Sequence, residues 1–123
     1  MRKIASQALP DVVHSHIAAI NQHQLDALMA TLAPDALVND AKREFLGHPA
    51  IRAWAKDEIV GTNVTLDVVE AYGQSGNAIV RFRVDGDFDK SKLPDPFVLT
   101  YYFTIRDDLI TQLIIVHNSK NAS

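Results

Sequence analysis

Apolar residues recur along this chain with two different periods, and the change falls near Thr62. Before it, Val12, Val13, His16, Ile17 and Ile20 repeat at helical spacing behind Pro10 and Asp11, which suit a helix's first turn, so a helix is predicted over 10–22. After the polar His23-Gln24 break, Leu25, Leu28, Met29 and Leu32 form a second helical stripe that Pro34 should end. Leu37 and Val38 begin a short strand closing at Asp40, the charged Lys42-Arg43-Glu44 reads as a solvated loop, and Gly47 punctuates it. Pro49 opens a third helix with Ile51, Trp54, Ala55 and Ile59 on one side, and Gly61 is placed to end it in the left-handed conformation.

From Thr62 onward the period is two. Val64, Leu66 and Val68 alternate with Thr65, Asp67 and Val69, and Gly73-Gln74-Ser75-Gly76 turns the chain into a hairpin. Ala78, Val80, Phe82 and Val84 then face away from Arg81, Arg83 and Asp85. A polar, proline-bearing loop from Asp85 to Pro96 leads to a strand in which Phe97, Leu99, Tyr101, Phe103 and Ile105 share one face, and Asp107-Asp108 is the next turn. The last strand, Ile110 to Val116, is apolar on both faces. Its outer face therefore calls for a cover, and a second copy of the chain is the expected one. Three helices followed by an antiparallel sheet make an α+β arrangement, read as one domain over 1–123.

Composition narrows the chemistry. Without cysteine the chain has no disulfide, thiolate nucleophile or Cys-ligated metal. A net charge of −3 with dispersed Lys and Arg argues against nucleic acid, and no apolar run is long enough for a membrane span. The opening Met1-Arg2-Lys3-Ile4-Ala5-Ser6-Gln7 lacks an apolar h-region, so a cytoplasmic location is expected, and the Asn63-Val64-Thr65 and Asn121-Ala122-Ser123 sequons read as chance. Asp85-Gly86-Asp87-Phe88-Asp89 invites a calcium reading, but Lys90 and Pro96 stand where an EF-hand needs glycine and glutamate, which leaves a solvated loop. No zincin, phosphate-loop or nucleophile-elbow motif is present.

Val12-Val13 through His16-Ile17-Ala18-Ala19-Ile20-Asn21, Leu25-Asp26-Ala27-Leu28, Pro34-Asp35-Ala36 through Asp40, Gly47 through Ala50-Ile51-Arg52-Ala53-Trp54, and the hairpin Tyr101 to Ile115 together carry a resemblance. The chain resembles the nuclear transport factor 2-like superfamily, particularly its SnoaL-like and ketosteroid isomerase-like branches. The resemblance implies a cone in which a bent antiparallel sheet wraps the first helix, an apolar pocket between sheet and helices, and dimers through the outer sheet face. It also sets Asp40 at the isomerase's general base, His16 where that enzyme has an oxyanion-hole tyrosine, and Tyr101 where it has a protonated aspartic acid. Isomerases, cyclases, dehydratases, epoxide hydrolases and noncatalytic binders share the scaffold.

Each candidate has a plain reading beside the chemical one. Asp40, partly removed from water, can take a carbon-bound proton, or it can cap a strand end. His16 lies on the apolar stripe of the first helix, so it faces inward, as an acid, base or donor, or as a core histidine bonded to a carbonyl. Tyr101 points inward with Leu99 and Phe103, and its hydroxyl needs a partner there. Trp54, Phe82, Leu99, Phe103, Leu113 and Ile115 are candidate pocket walls, with His117 at the rim.

The expectation is an apolar pocket for a small, apolar or amphipathic carbonyl- or hydroxyl-bearing molecule. Asp40 would abstract a proton alpha to the carbonyl while His16 and Tyr101 bond the oxygen, an isomerase- or lyase-type reaction needing no metal or organic cofactor. The alternatives are a noncatalytic ligand binder or a protein-recognition dimer. The epoxide-hydrolase branch is set aside because it needs an Asp-Arg-Asp constellation and no arginine falls on a clearly inward face.

Overall fold

The structure is a computed structural model, and it describes residues 1–117; the Asn121 sequon lies outside them. Strand β1 (Arg2–Ile4) precedes helices α1 (Asp11–Asn21) and α2 (Leu25–Met29). Strands β2 (Leu32–Asp40) and β3 (Arg43–Leu46) lead to α3 (Gly47–Trp54), which widens into a π-helical turn, Ala55–Val60. Strands β4 (Thr65–Gln74), β5 (Asn77–Asp85), β6 (Val98–Arg106) and β7 (Leu109–His117) complete one curved, unclosed sheet in the order β1-β4-β5-β6-β7-β2-β3.

The curvature has local causes. Val69 is an extra residue between the pairs Val68 with Phe82 and Glu70 with Arg81, and a second irregularity falls between Thr104 and Ile105. Bulges of this kind bend and twist a strand. Asn77 steadies the second one, its Oδ1 accepting from the Ile105 amide at 2.9 Å. Asn21 ties the end of α1 to β4 by giving its Nδ2 to the Leu66 carbonyl and taking the Leu66 amide on Oδ1, at 3.0 and 2.7 Å. One hydrophobic cluster joins the inner face of the sheet to the helices, with Val13, Leu28, Ile51, Phe82 and Leu113 fully enclosed.

Several expectations are corrected. Helix α2 stops at Met29, and Leu32 already belongs to β2, because the Thr31 hydroxyl donates back to the Leu28 carbonyl and the Thr31 carbonyl accepts the Ile110 amide. Pro34 sits inside β2 where its register against β7 shifts, a place where a missing amide costs little. The sheet is not wholly antiparallel, since β2 runs parallel to β7.

Arg43 and Glu44 are strand, not loop. Ala41 and Lys42, with φ of 52° and 74°, form a tight left-handed turn that folds β3 back along β2. Helix α3 begins at Gly47 rather than Pro49. Gly61 is right-handed, with φ −66°; a Cβ there would lie 2.5 Å from the Lys56 carbonyl oxygen, so close approach requires the glycine, and Asn63 takes the left-handed turn instead.

The Asp85 loop holds its carboxylates locally: Asp85 on Lys90 and the Gly86 amide, Asp87 on Asn63, Asp89 on the Ser91 amide. These contacts hold Asp85 and Asp89 below the usual carboxylate range, with Lys90 the main cause for the first and Ser91 for the second.

Candidate functional site

Strand register decides which inward-facing side chains meet. Asp40 ends β2 opposite Ile115, which in turn pairs with Tyr101, and Leu99 pairs with His117. All five line one cavity of about 340 Å³. Phe88, Leu93 and Phe97 from the loop after β5 form another wall, and Arg43 and Glu58 stand at its polar side. A volume near the small end of ordinary ligand pockets suits a molecule of one or two rings.

Asp40 is held from two directions. Trp54 Nε1 donates to its Oδ2 at 3.0 Å, and Arg43 Nη2 donates to the same oxygen at 3.0 Å. Arg43 is held in turn by Glu58, through Nη2 at 2.7 Å and Nη1 at 3.0 Å. Glu58 and then Asp40 push the guanidinium above its ordinary range, so it is a permanent cation. Asp40 Oδ1 takes no hydrogen bond from a described residue, and His117 Nε2 lies 3.9 Å from it. The carboxylate is 14% exposed, which leaves it reachable but largely out of water.

Tyr101 is buried, packed edge-on against Phe82 with ring centres 4.9 Å apart. Burial, and secondarily the charge of Asp40, raise its hydroxyl well above the usual phenol range. It therefore stays protonated and can only offer or accept a hydrogen bond. No described residue supplies a partner for that hydroxyl, although Tyr101 borders the cavity. Asp40 and Tyr101 thus border one largely apolar space, each with a side-chain oxygen to which no described residue is hydrogen-bonded.

The structure does not bring His16 there. It lies in the core beside Phe103, and its Nδ1 is 2.8 Å from Thr31 Oγ1. Thr31 spends its own hydrogen on the Leu28 carbonyl at 2.7 Å, so the histidine must be the donor. Burial lowers its pKa to about 4, which keeps it neutral. The convergence expected of residues 16, 40 and 101 is corrected to Asp40 with Tyr101, joined by His117.

Leu99, Ile115 and His117 do line the cavity. Phe82, Phe103 and Leu113 do not; they are enclosed in the core. Trp54 stands behind Asp40 as a donor rather than as a wall. Arg43 was missed because its charged neighbours masked a strand, and with it falls the reason for setting aside an acid-arginine-acid constellation: Asp40, Arg43 and Glu58 form one. Among the described residues no group of His, Asp or Glu is arranged to hold a metal ion.

A family model for the SnoaL-like domain matches residues 13–113. The chain belongs to the SnoaL-like family. That family lies within the nuclear transport factor 2-like superfamily, and the open curved sheet with few helices is its fold. This SnoaL-like chain is 35% identical to a candidate polyketide cyclase from Sinorhizobium meliloti, over 91% of this chain and 99% of the other, with a TM-score of 0.79. A protein of ketosteroid isomerase-like fold from Catenulispora acidiphila, solved in complex with trimethylamine, is 20% identical over 90% and 88% of the two chains, with a TM-score of 0.75. A candidate ketosteroid isomerase from Kribbella flavida is 12% identical over 89% and 77%, at 0.73. The last two share the fold alone. No curated protein matches the chain.

Proposed function

We propose that this SnoaL-like protein binds a small, largely apolar carbonyl compound in the Asp40 cavity and moves a proton on it without a cofactor, as an isomerase, cyclase or dehydratase does. The observation that carries the reading is that Asp40 and Tyr101 line one largely apolar cavity while, among the described residues, neither Asp40 Oδ1 nor the Tyr101 hydroxyl has a hydrogen-bond partner. Asp40 takes a proton from the carbon alpha to the carbonyl, the charge moves onto the carbonyl oxygen, and the Tyr101 hydroxyl bonds that oxygen as it turns anionic. The proton then returns to the ligand at another carbon. His117 sits where it can exchange a proton between Asp40 and solvent, its side chain half exposed.

The working unit is a homodimer through the outer sheet face. Leu37, Ile79 and Ile114 are half-buried there beside the exposed Leu46, Tyr102 and Val116, an apolar strip that a second copy would cover. A second reading, water addition to an epoxide, draws support from the Asp40, Arg43 and Glu58 chain of contacts at 2.7 to 3.0 Å.

The test is deuterium incorporation at the alpha carbon of cyclic ketones, read by NMR in heavy water, with 1,2-epoxycyclohexane as a parallel substrate. Acceleration by the wild-type protein, lost in Asp40→Asn, supports proton transfer; diol formation without ketone exchange selects the second reading. Neither activity, with binding of the ketone retained, leaves a ligand-binding protein.

A further inference from the structure

We propose that Trp54 and Arg43 are positioning residues that tie down Oδ2 of Asp40 and so leave Oδ1 as the one working oxygen of that carboxylate. The proposal rests on the proton-transfer reading for its consequence, but its geometry stands without it. Both donors reach the same oxygen, each at 3.0 Å. Turning the carboxylate to exchange its oxygens would break both bonds at once.

Each donor is itself restrained. Arg43 is gripped through two nitrogens by Glu58, which the π-helical turn carries out to the cavity side. Trp54 is buried and stacks on Phe45, ring centres 5.8 Å apart and planes 27° from parallel. The Arg43 guanidinium lies over the same Phe45 ring at 5.6 Å. Phe45 therefore touches both donors, and the Ala41-Lys42 turn sets Arg43 opposite Asp40. A closed ring of contacts, Asp40 to Arg43 to Phe45 to Trp54 and back to Asp40, fixes the carboxylate plane.

Oδ1 is left to the side of His117, 3.9 Å away, and Asp40, Tyr101 and His117 all line the cavity. The titratable groups around the carboxylate are thus Arg43 from β3, Glu58 from the π-helical turn, Tyr101 from β6 and His117 from β7. Only the first, with Trp54, donates to it. A base held this way is pre-oriented: the acceptor lone pair is aimed before a ligand arrives, a positional effect that an error of about 1 Å can erode by about 100-fold.

Trp54 is the sole tryptophan, so its indole N–H gives one resonance and reports this contact directly. In wild type that proton should be protected from solvent exchange. In Asp40→Ala it should shift and exchange about 10-fold faster, the loss of one hydrogen bond of ordinary strength. An indole proton indifferent to Asp40→Ala overturns the proposal whether or not the protein is a catalyst.

The kinetic arm uses ketone deuteration. Trp54→Phe keeps the ring on Phe45 and removes the donor, and should lower kcat by about 10- to 100-fold with KM unchanged. Glu58→Gln, at an exposed site that should not disturb folding, should lower kcat less and in the same pattern. Unchanged kcat in both variants, or a loss confined to KM, overturns the proposal. A wild type that deuterates no ketone removes the proton-transfer reading alone, and the indole resonance then decides the positioning.

Discussion

The two ends of strand β2 bury polar groups in opposite ways. At the Leu32 end, His16 and Thr31 satisfy one another and the Leu28 carbonyl, and Phe103 closes over them. At the Asp40 end, Oδ2 is doubly bonded while Oδ1 and the Tyr101 hydroxyl are left with nothing from the described residues to bond. Neither of these two atoms is sealed from solvent, unlike His23 Nε2 and Arg81 Nε, which are buried without a partner, so water or a ligand in the cavity can complete their hydrogen bonding. The packed end is closed by its own side chains, and the open end is where the proposed function puts its ligand.

Substitutions should separate the two. Asp40→Asn should reduce ketone deuteration by about 100- to 10,000-fold with little change in unfolding free energy. Tyr101→Phe should follow it, at about 100- to 1,000-fold in rate. At the packed end the effect moves to stability: Phe103→Ala should cost about 3–5 kcal/mol in urea unfolding, since the ring is enclosed and its removal leaves a cavity in the core.

His16 supplies a pH signature for the same end. Burial lowers it from 6.5 to about 4, so below pH 6.5 the unfolded chain binds a proton that the folded chain refuses. Stability should therefore fall as pH drops from about 6.5 to about 4, by roughly 3 kcal/mol, and level off below that. His16→Leu should flatten that slope when unfolding is compared at pH 7 and pH 4. The smallest effect is expected at the exposed Arg52–Asp26 ion pair, where Arg52→Ala should change stability by less than about 1 kcal/mol.

Periodicity made much of this legible and also set its limit. The helical stripe correctly turned His16 inward, and the alternation in β6 did the same for Tyr101 and Phe103. Period gives the direction in which a side chain points, not its level along the axis of the fold. Phe82, Phe103 and Leu113 share the inward face with Tyr101, Leu99 and Ile115, and strand register separates the enclosed set from the cavity set, while His16 is set apart by its level on α1, beside Thr31.

Arg43 was hidden for a different reason. Its strand is a charged edge partner of β2, and edge strands carry charge to discourage further pairing. The turn before it uses Ala41 and Lys42 at positive φ, residues that give no turn signal. The hairpin turns at Ser75-Gly76 and Asp107-Asp108, where the residue types do signal, were readable.

The most direct measurement is a chemical-shift map of the protein titrated with a cyclic ketone. The expected result is perturbation centred on Asp40, Tyr101, His117 and the Trp54 indole, with His16, Thr31 and Phe103 unmoved. Shifts centred on His16 and Thr31 instead would contradict the assignment of the open end as the binding site.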